Sequence, residues 1–542
     1  MLRWDRGTAR NDALSGQSGE LIKSGTEGTS RDPAFGSCHA PSYAIIQSTD
    51  LESHNGRVTT MSHLINPLQT NHAPSRRDFL RNLGSGFGSL ALASLLDRDG
   101  LLGAEDSGYA LSPRPAPQRP RAKAVIQLFQ NGGVSQMDLF DPKPELTKHN
   151  GQPHPEELET FQLGNKNVLL ASVFEFEKYG QSGMEFSELM PHIASLADDL
   201  CMVRSMYTFH NNHPHAIHMM QSGRIFPGFP TLGGWLCYAL GSENENLPGY
   251  VVLRDAAGYS TSGKLVWDNG FMPEIYAGTE FASSGTPVHH LQPPNSVLAG
   301  ARRNDLDLLA DLNRLHLSDN QGNSELEARI ENYELAARMQ LEAGRVVDIS
   351  QETAATRKLY GLDDPVAGNY GSRCLLARRL VEAGVRYVQI FPPLQPSFQP
   401  WDNHAAIFPG LKTICPRVDQ GSAALIRDLK QRGMLDDVIV MWTGEFGRLP
   451  ITEGADGRDH NRNAFTLLMA GGGFRPGLTY GATDDFGYAA VEDRVSVHDL
   501  HATMLHQLGL DHTRLSYPHH GRQERLTDPE VTGARIMNDL LV

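Results

Sequence analysis

Three short segments gather the residue types that bind metals and anions: Trp401-Asp402-Asn403-His404, Gly444-Glu445-Phe446-Gly447-Arg448 and Gly457-Arg458-Asp459-His460. In extended backbone, residues i and i+2 face the same way, so Asp402 and His404 can address one ion. The glycines around Glu445 permit a tight turn that presents Glu445 and Arg448 together. Carboxylates with imidazoles suit zinc or manganese, and arginines suit a tetrahedral oxyanion. Each segment also has a plain structural alternative. Asp402 can cap a helix, Glu445 can pair with Arg448, and His460 can be a loop histidine with its hydrogen bonds met. Their common position favours chemistry.

That position follows from the elements around them. Short apolar runs alternate with amphipathic helical patterns from Ala122 onward, the pattern of an α/β sheet with crossover helices. Strands are expected at 124–129, 200–205, 250–253, 385–391, 438–442 and 465–469. Helices are expected at 187–198, through much of 304–344, and at 373–382, 418–430 and 497–508, the last ending at Gly509. In open α/β sheets ligands bind beyond the carboxyl ends of strands. The three segments follow, or lie between, such strands, so two or three carboxylates, two imidazoles and two arginines converge at one end of the sheet.

Two further stretches share that placement. Asn131-Gly132-Gly133-Val134-Ser135-Gln136-Met137-Asp138 follows the first strand, where a Gly-Gly turn brings backbone amides near an anion or merely joins strand to helix. His210, His213, His215 and His218 cluster with Asn211 and Asn212, as metal or oxyanion contacts or as a pH-sensitive polar loop.

These segments, in this order, resemble an exported bacterial family of unknown function (number 1501), placed in the alkaline phosphatase and sulfatase superfamily. The resemblance covers residues 122–515. It rests on Gln130 through Asp138 with Asp141-Pro142-Lys143-Pro144, on the three segments above, and on Gly471-Gly472-Gly473. It implies an alkaline-phosphatase-like sandwich, α/β with a mostly parallel central sheet flanked by helices. It also implies one or two divalent ions, with Asp402, His404 and His460 in one site and Glu445 in a second. Asn131 stands where the superfamily has an Asp, leaving Asp138 as the nearest carboxylate, and Phe446 stands where a His is usual. The nucleophile position reads Asn212-His213-Pro214-His215, without Ser, Thr or Cys. A covalent intermediate on a hydroxyl or thiol is thereby excluded there, and turnover would shift to water assisted by His213.

The resulting expectation is a metal-dependent hydrolase of phosphate or sulfate esters, acting on a small anionic ester or a sulfated or phosphorylated glycan. Asp402, His404, Glu445, Asp459, His460 and Asp138 are the expected ligands of zinc, with manganese or calcium as alternatives. Arg448 and Arg458 are expected to steady the oxyanion and His213 to act as acid or base. The alternative from another class is a non-catalytic binder of a polymer or partner protein on a degenerate hydrolase fold.

The chain has 542 residues, 40% of them hydrophobic, and a formal net charge of -15. That charge argues against a nucleic-acid partner. Five dispersed cysteines without a CxxC pair indicate neither a zinc finger nor a disulfide framework. Ser75-Arg76-Arg77-Asp78-Phe79-Leu80 precedes a weakly apolar run from Leu83 to Leu96, too short for a permanent membrane span. It matches a twin-arginine export signal, which predicts a periplasmic or extracellular protein. Met61 is the expected translation start, with 1–60 disordered or untranslated, 61–104 the signal, 105–121 a Pro-rich spacer and 122–542 one domain.

Overall fold

The computed structural model describes residues 110–542, apart from 163–164, 283–298, 321–322 and 395–396. The expected signal segment, the start at Met61 and the arm before it lie outside the described residues. The helices among the described residues include none long and apolar enough to cross a membrane.

Ala124–Phe129 (β1) reads AVIQLF and is buried at every position. A near-continuous apolar strand of this kind belongs in a parallel sheet covered on both faces. The other strands of that sheet are Leu200–Tyr207 (β2), Tyr250–Arg254 (β3), Thr279–Ala282 (β4), Tyr387–Ile390 (β5) and Val438–Thr443 (β6). A separate hairpin, Gly447–Glu453 (β7) and Gly457–Asn461 (β8), precedes Phe465–Ala470 (β9), Leu478–Tyr480 (β10) and Val495–Ser496 (β11) of the main sheet. The order is β10-β2-β9-β6-β1-β5-β3-β4, with β11 beside β2. β1 lies at the centre, parallel to β5 and β6. β9 runs antiparallel to both its neighbours, and the remaining pairings are parallel. The expected mostly parallel central sheet is therefore present.

The principal helices are His213–Ser222 (α1), Leu232–Leu240 (α2), Ala299–Asp319 (α3), Ser324–Val347 (α4), Gly368–Glu382 (α5), Ile407–Gln431 (α6) and Val497–Gln507 (α7). α7 opens with a full capping box, in which Ser496 and Asp499 each bond the other's backbone N–H. Gly509 follows it at φ +75°.

Three elements differ from expectation. Residues 187–198 form the end of a strand, Met184–Ser187, a short α-helix, Pro191–Ala194, and the start of a 3-10 turn, Ala197–Asp199. Pro191 disfavours helical backbone just before it, so it starts the short α-helix and blocks a longer one. α6 is longer than expected because it continues through Pro416. The Pro-rich stretch is strapped to the body rather than free: Leu111 is fully buried, Arg114 N–H donates to Leu240 O, and Gln118 N–H donates to Gly509 O. The four described cysteines are buried and free.

Candidate metal centre

β1, β5 and β6 end side by side, and the chain leaving each end supplies part of the site. Gly132 has φ +121°, and a Cβ there would stand 2.7 Å from Asp402 N and 2.8 Å from Trp401 N. Glycine thus lets the β1 turn press against the loop that follows β5. That loop is fixed by Trp401, whose ring packs edge-on against Trp442 at 5.8 Å and whose Nε1–H donates to Gln130 Oε1 at 3.2 Å. The hairpin adds a third part. Between the pairs Thr452–Arg458 and Arg448–His460, three residues of β7 (Leu449, Pro450, Ile451) stand opposite the single Asp459 of β8. Pro450 has no N–H to contribute to the ladder, in keeping with this irregularity.

The outcome is a convergence on one oxygen. Asp402 Oδ1 lies 3.2 Å from His213 Nε2, 3.0 Å from His404 Nε2 and 3.2 Å from His460 Nε2. Donor atoms of these four residues all fall within 4.8 Å of one another. The outer ring nitrogens are held in turn. His213 Nδ1 bonds Glu445 Oε1 at 2.6 Å, His404 Nδ1 bonds Glu453 Oε2 at 2.5 Å, and His460 Nδ1 bonds the Asn211 carbonyl at 2.6 Å. Carboxylate and carbonyl oxygens accept, so each Nδ1 carries a proton and each inward Nε2 can present a lone pair. His213 Nε2 is buried and makes no aligned hydrogen bond. Three lone pairs and a carboxylate oxygen this close repel one another unless protons or a cation lie between them. The arrangement fits a divalent ion, with ligand tautomers set by outer carboxylates.

Electrostatics show how strongly the cluster attracts positive charge. Burial would raise the Asp402 pKa, but His213, His404, His460 and the Arg448 charge outweigh it and hold it far below the usual carboxylate range. Burial would lower His213, yet Asp402 and Glu445 raise it. His404 is likewise raised by Asp402 against the effect of burial. His460 is pushed down to about 3, chiefly by burial, and stays neutral. Asp402 and His404 are the open side, with side chains 22% and 26% exposed.

The structure thus brings together Asp402 and His404, as their spacing predicts, with His460, as the resemblance implies, and adds His213 as a fourth donor, its Nδ1 bonded to Glu445 and its Nε2 3.2 Å from Asp402 Oδ1. The remaining expected residues stand elsewhere. Glu445 is fully buried behind His213, and Gly132 N–H donates to both of its oxygens at 2.9 and 3.1 Å. The anion that the Gly-Gly turn cradles is therefore this internal carboxylate. Asp138 pairs with Arg458 at 2.8 Å, both side chains fully buried, so neither faces an ion or an ester. Arg448 is turned inward too, donating to Gly133 O, Arg458 O and Asp402 Oδ1. Asp459 accepts N–H groups of Phe161 and Gln162 and the Asn165 side chain. It also lies near His404 and Glu453. Phe446 is an apolar wall, its ring 4.8 Å from that of His213 and 4.6 Å from that of His460. Of the histidine-rich loop, His213 alone joins the cluster. His210 and His215 stack on one another at 4.3 Å, and His218 is buried in α1. Sequence reasoning missed Glu453, because the strand whose end it occupies is not legible in the sequence.

Fold and site together define a mixed α/β protein with a three-histidine, one-aspartate donor set beyond the ends of its parallel strands. Residues 122–541 match the model of the family described as protein of unknown function DUF1501, and the chain belongs to that family. No curated protein matches it. Among solved structures it is similar to the PsFucS1 sulfatase from Pseudoalteromonas sp., at 12% identity and TM-score 0.31, covering 78% of this chain and 71% of that one. It is also similar to a phosphonate monoester hydrolase from Silicibacter pomeroyi (15%, 0.30, 64% and 73%). A third is an alkaline phosphatase superfamily protein from Vibrio parahaemolyticus (11%, 0.30, 78% and 75%).

Proposed function

We propose that this protein is an exported metal-dependent hydrolase of phosphate or sulfate esters, including esters carried on a glycan. The observation that carries the reading is the triple convergence of His213, His404 and His460 on Asp402 Oδ1, each ring oriented by an acceptor on its outer nitrogen. The motif resemblance to the alkaline phosphatase and sulfatase superfamily points the same way. The export signal read at Ser75 to Leu80 supports a location beyond the inner membrane.

Asp402, His213, His404 and His460 would hold the ion, with zinc the best match to three imidazoles and one carboxylate. When bound, a divalent ion supplies Lewis acidity toward an ester oxygen and acidifies water. The chain's residues do the rest. Glu445 and Glu453 keep the protons of His213 and His404 on Nδ1, leaving Nε2 free to ligate. Phe446 and Phe161 shield the His460 ring from solvent on their sides. The ester approaches from the exposed side of Asp402 and His404. With Asn212 and His213 at the start of α1, no hydroxyl or thiol is placed there, so water is the attacking group. Its oxygen bonds to phosphorus or sulfur, the ester P–O or S–O bond breaks, and the departing alcohol takes up a proton.

The test is turnover of p-nitrophenyl phosphate, a phosphonate monoester and p-nitrophenyl sulfate with added zinc or manganese. Wild type should hydrolyse at least one, and Asp402→Ala with His460→Ala should lower the rate at least a hundredfold while the protein stays folded. Undiminished turnover in the double variant would refute the assignment.

A further inference from the structure

Phenylalanine is a costly residue to leave in water, so where it is exposed carries information. Among the described residues four phenylalanines are exposed, 38% to 63% each: Phe161, Phe209, Phe226 and Phe398. Each stands on or beside a segment that contributes to the metal centre. The Phe161 ring stacks on His460 at 4.7 Å. Phe209 is two residues before Asn211, whose carbonyl fixes His460. Phe226 packs against His215 at 5.6 Å, two residues beyond His213. Phe398 gives its carbonyl to Asn131 Nδ2 at 3.0 Å and precedes Asp402 by four residues.

A small monoester needs the ion and little else, so aromatic faces on four separate loops serve something larger. The loops are not greasy throughout: Phe161 is followed by Gln162, and Phe209 by His210, Asn211 and Asn212. Flat apolar faces interleaved with amides and imidazoles match a carbohydrate, whose rings have apolar C–H faces and hydroxyl edges. A lipid would leave those amides without partners. The formal net charge of -15 disfavours a densely charged polyanion, whose every residue would be repelled.

Building on the hydrolase reading, we propose that the four phenylalanines form a collar that binds sugar rings on either side of the reacting group. The substrate class is then a sparsely substituted polysaccharide ester, engaged within the chain.

Binding of the full chain is measured by calorimetry against a sparsely phosphorylated mannan, an unsubstituted mannan and dextran sulfate. The phosphorylated mannan should bind tightest. Phe226→Ala with Phe398→Ala should weaken it at least tenfold, and Phe226→Trp with Phe398→Trp should restore it. The proposal is overturned if the alanine variant binds that mannan as wild type does, if dextran sulfate is preferred, or if none of the three binds. The readout is independent of turnover. Small-ester hydrolysis without mannan binding would sink the collar alone; phenylalanine-dependent binding without any hydrolysis would sink the hydrolase reading and leave the collar.

Discussion

Glu445 Oε1 accepts the Nδ1 proton of His213 at 2.6 Å while the same carboxylate receives the Gly132 N–H at 2.9 Å. One buried carboxylate therefore ties the turn after β1 to the orientation of a candidate ligand at the start of α1, more than eighty residues further along the chain.

Glu445→Gln keeps the shape of that contact but changes its chemistry. If the amide oxygen accepts from Gly132, the NH2 group faces His213 Nδ1 and pushes the ring proton to Nε2, where it blocks ligation. Zinc affinity, measured by chelator competition, should fall about 10–100-fold with the fold intact. An unchanged affinity would show that Glu445 does not orient His213.

Asp138 and Arg458 form a fully buried pair, and removing one partner strands the other's charge. Asp138→Ala should cost about 3–5 kcal/mol in urea unfolding. Folded Asp138→Ala should retain the wild-type metal stoichiometry, because the residue faces Arg458 and not the cluster. Loss of metal without loss of stability would make Asp138 a ligand instead.

Gly132→Ala combines a forbidden φ of +121° with a Cβ 2.7 Å from Asp402 N. The strain, about 1–3 kcal/mol, falls on the loop that carries Asp402. Metal affinity should drop along with the melting temperature. Gly183→Ala is the control, at φ +66° with nothing within 4 Å of the added carbon. It should lower stability by about 1 kcal/mol and leave metal binding alone.

His501 is fully buried in α7, its Nε2 bonded to the Met220 carbonyl, and burial pushes its pKa down to about 3. A base depressed in the folded state gains its proton on unfolding, so its contribution is present above about 6.5 and lost as pH falls toward 3. His501→Gln should reduce the fall of unfolding free energy with acidification by about 1.4 kcal/mol per pH unit within that window. Parallel stability curves for the two proteins would contradict the burial of this ring as a neutral base.

Strand ends were readable because β1, β5 and β6 are short apolar runs stopped by polar or glycine-rich segments. Asp402 and His404 followed from the end of β5, and His460 from the resemblance to the superfamily. The part played by His213 was not readable, because its pairing with Glu445 and Asp402 spans some two hundred residues and depends on sheet order. Asp138, Arg458 and Asp459 looked like ligands or anion binders because charge near a strand end reads alike whether it faces a site or a buried partner. The hairpin β7–β8 was hidden as well: its ladder is broken at Pro450, and GRDHN has no apolar alternation. α6 runs eleven residues further toward its N-terminus than the expected 418–430, because packing of its long apolar face carries the helix through Pro416.

The most direct measurement is the metal content of the protein purified without chelators, by mass spectrometry, for wild type and for Asp402→Ala with His460→Ala. The account predicts about one to two equivalents of a divalent ion, zinc foremost, in wild type and loss of the ion from the folded double variant. A folded wild-type protein that contains no metal, and takes up neither zinc nor manganese on titration, would contradict it.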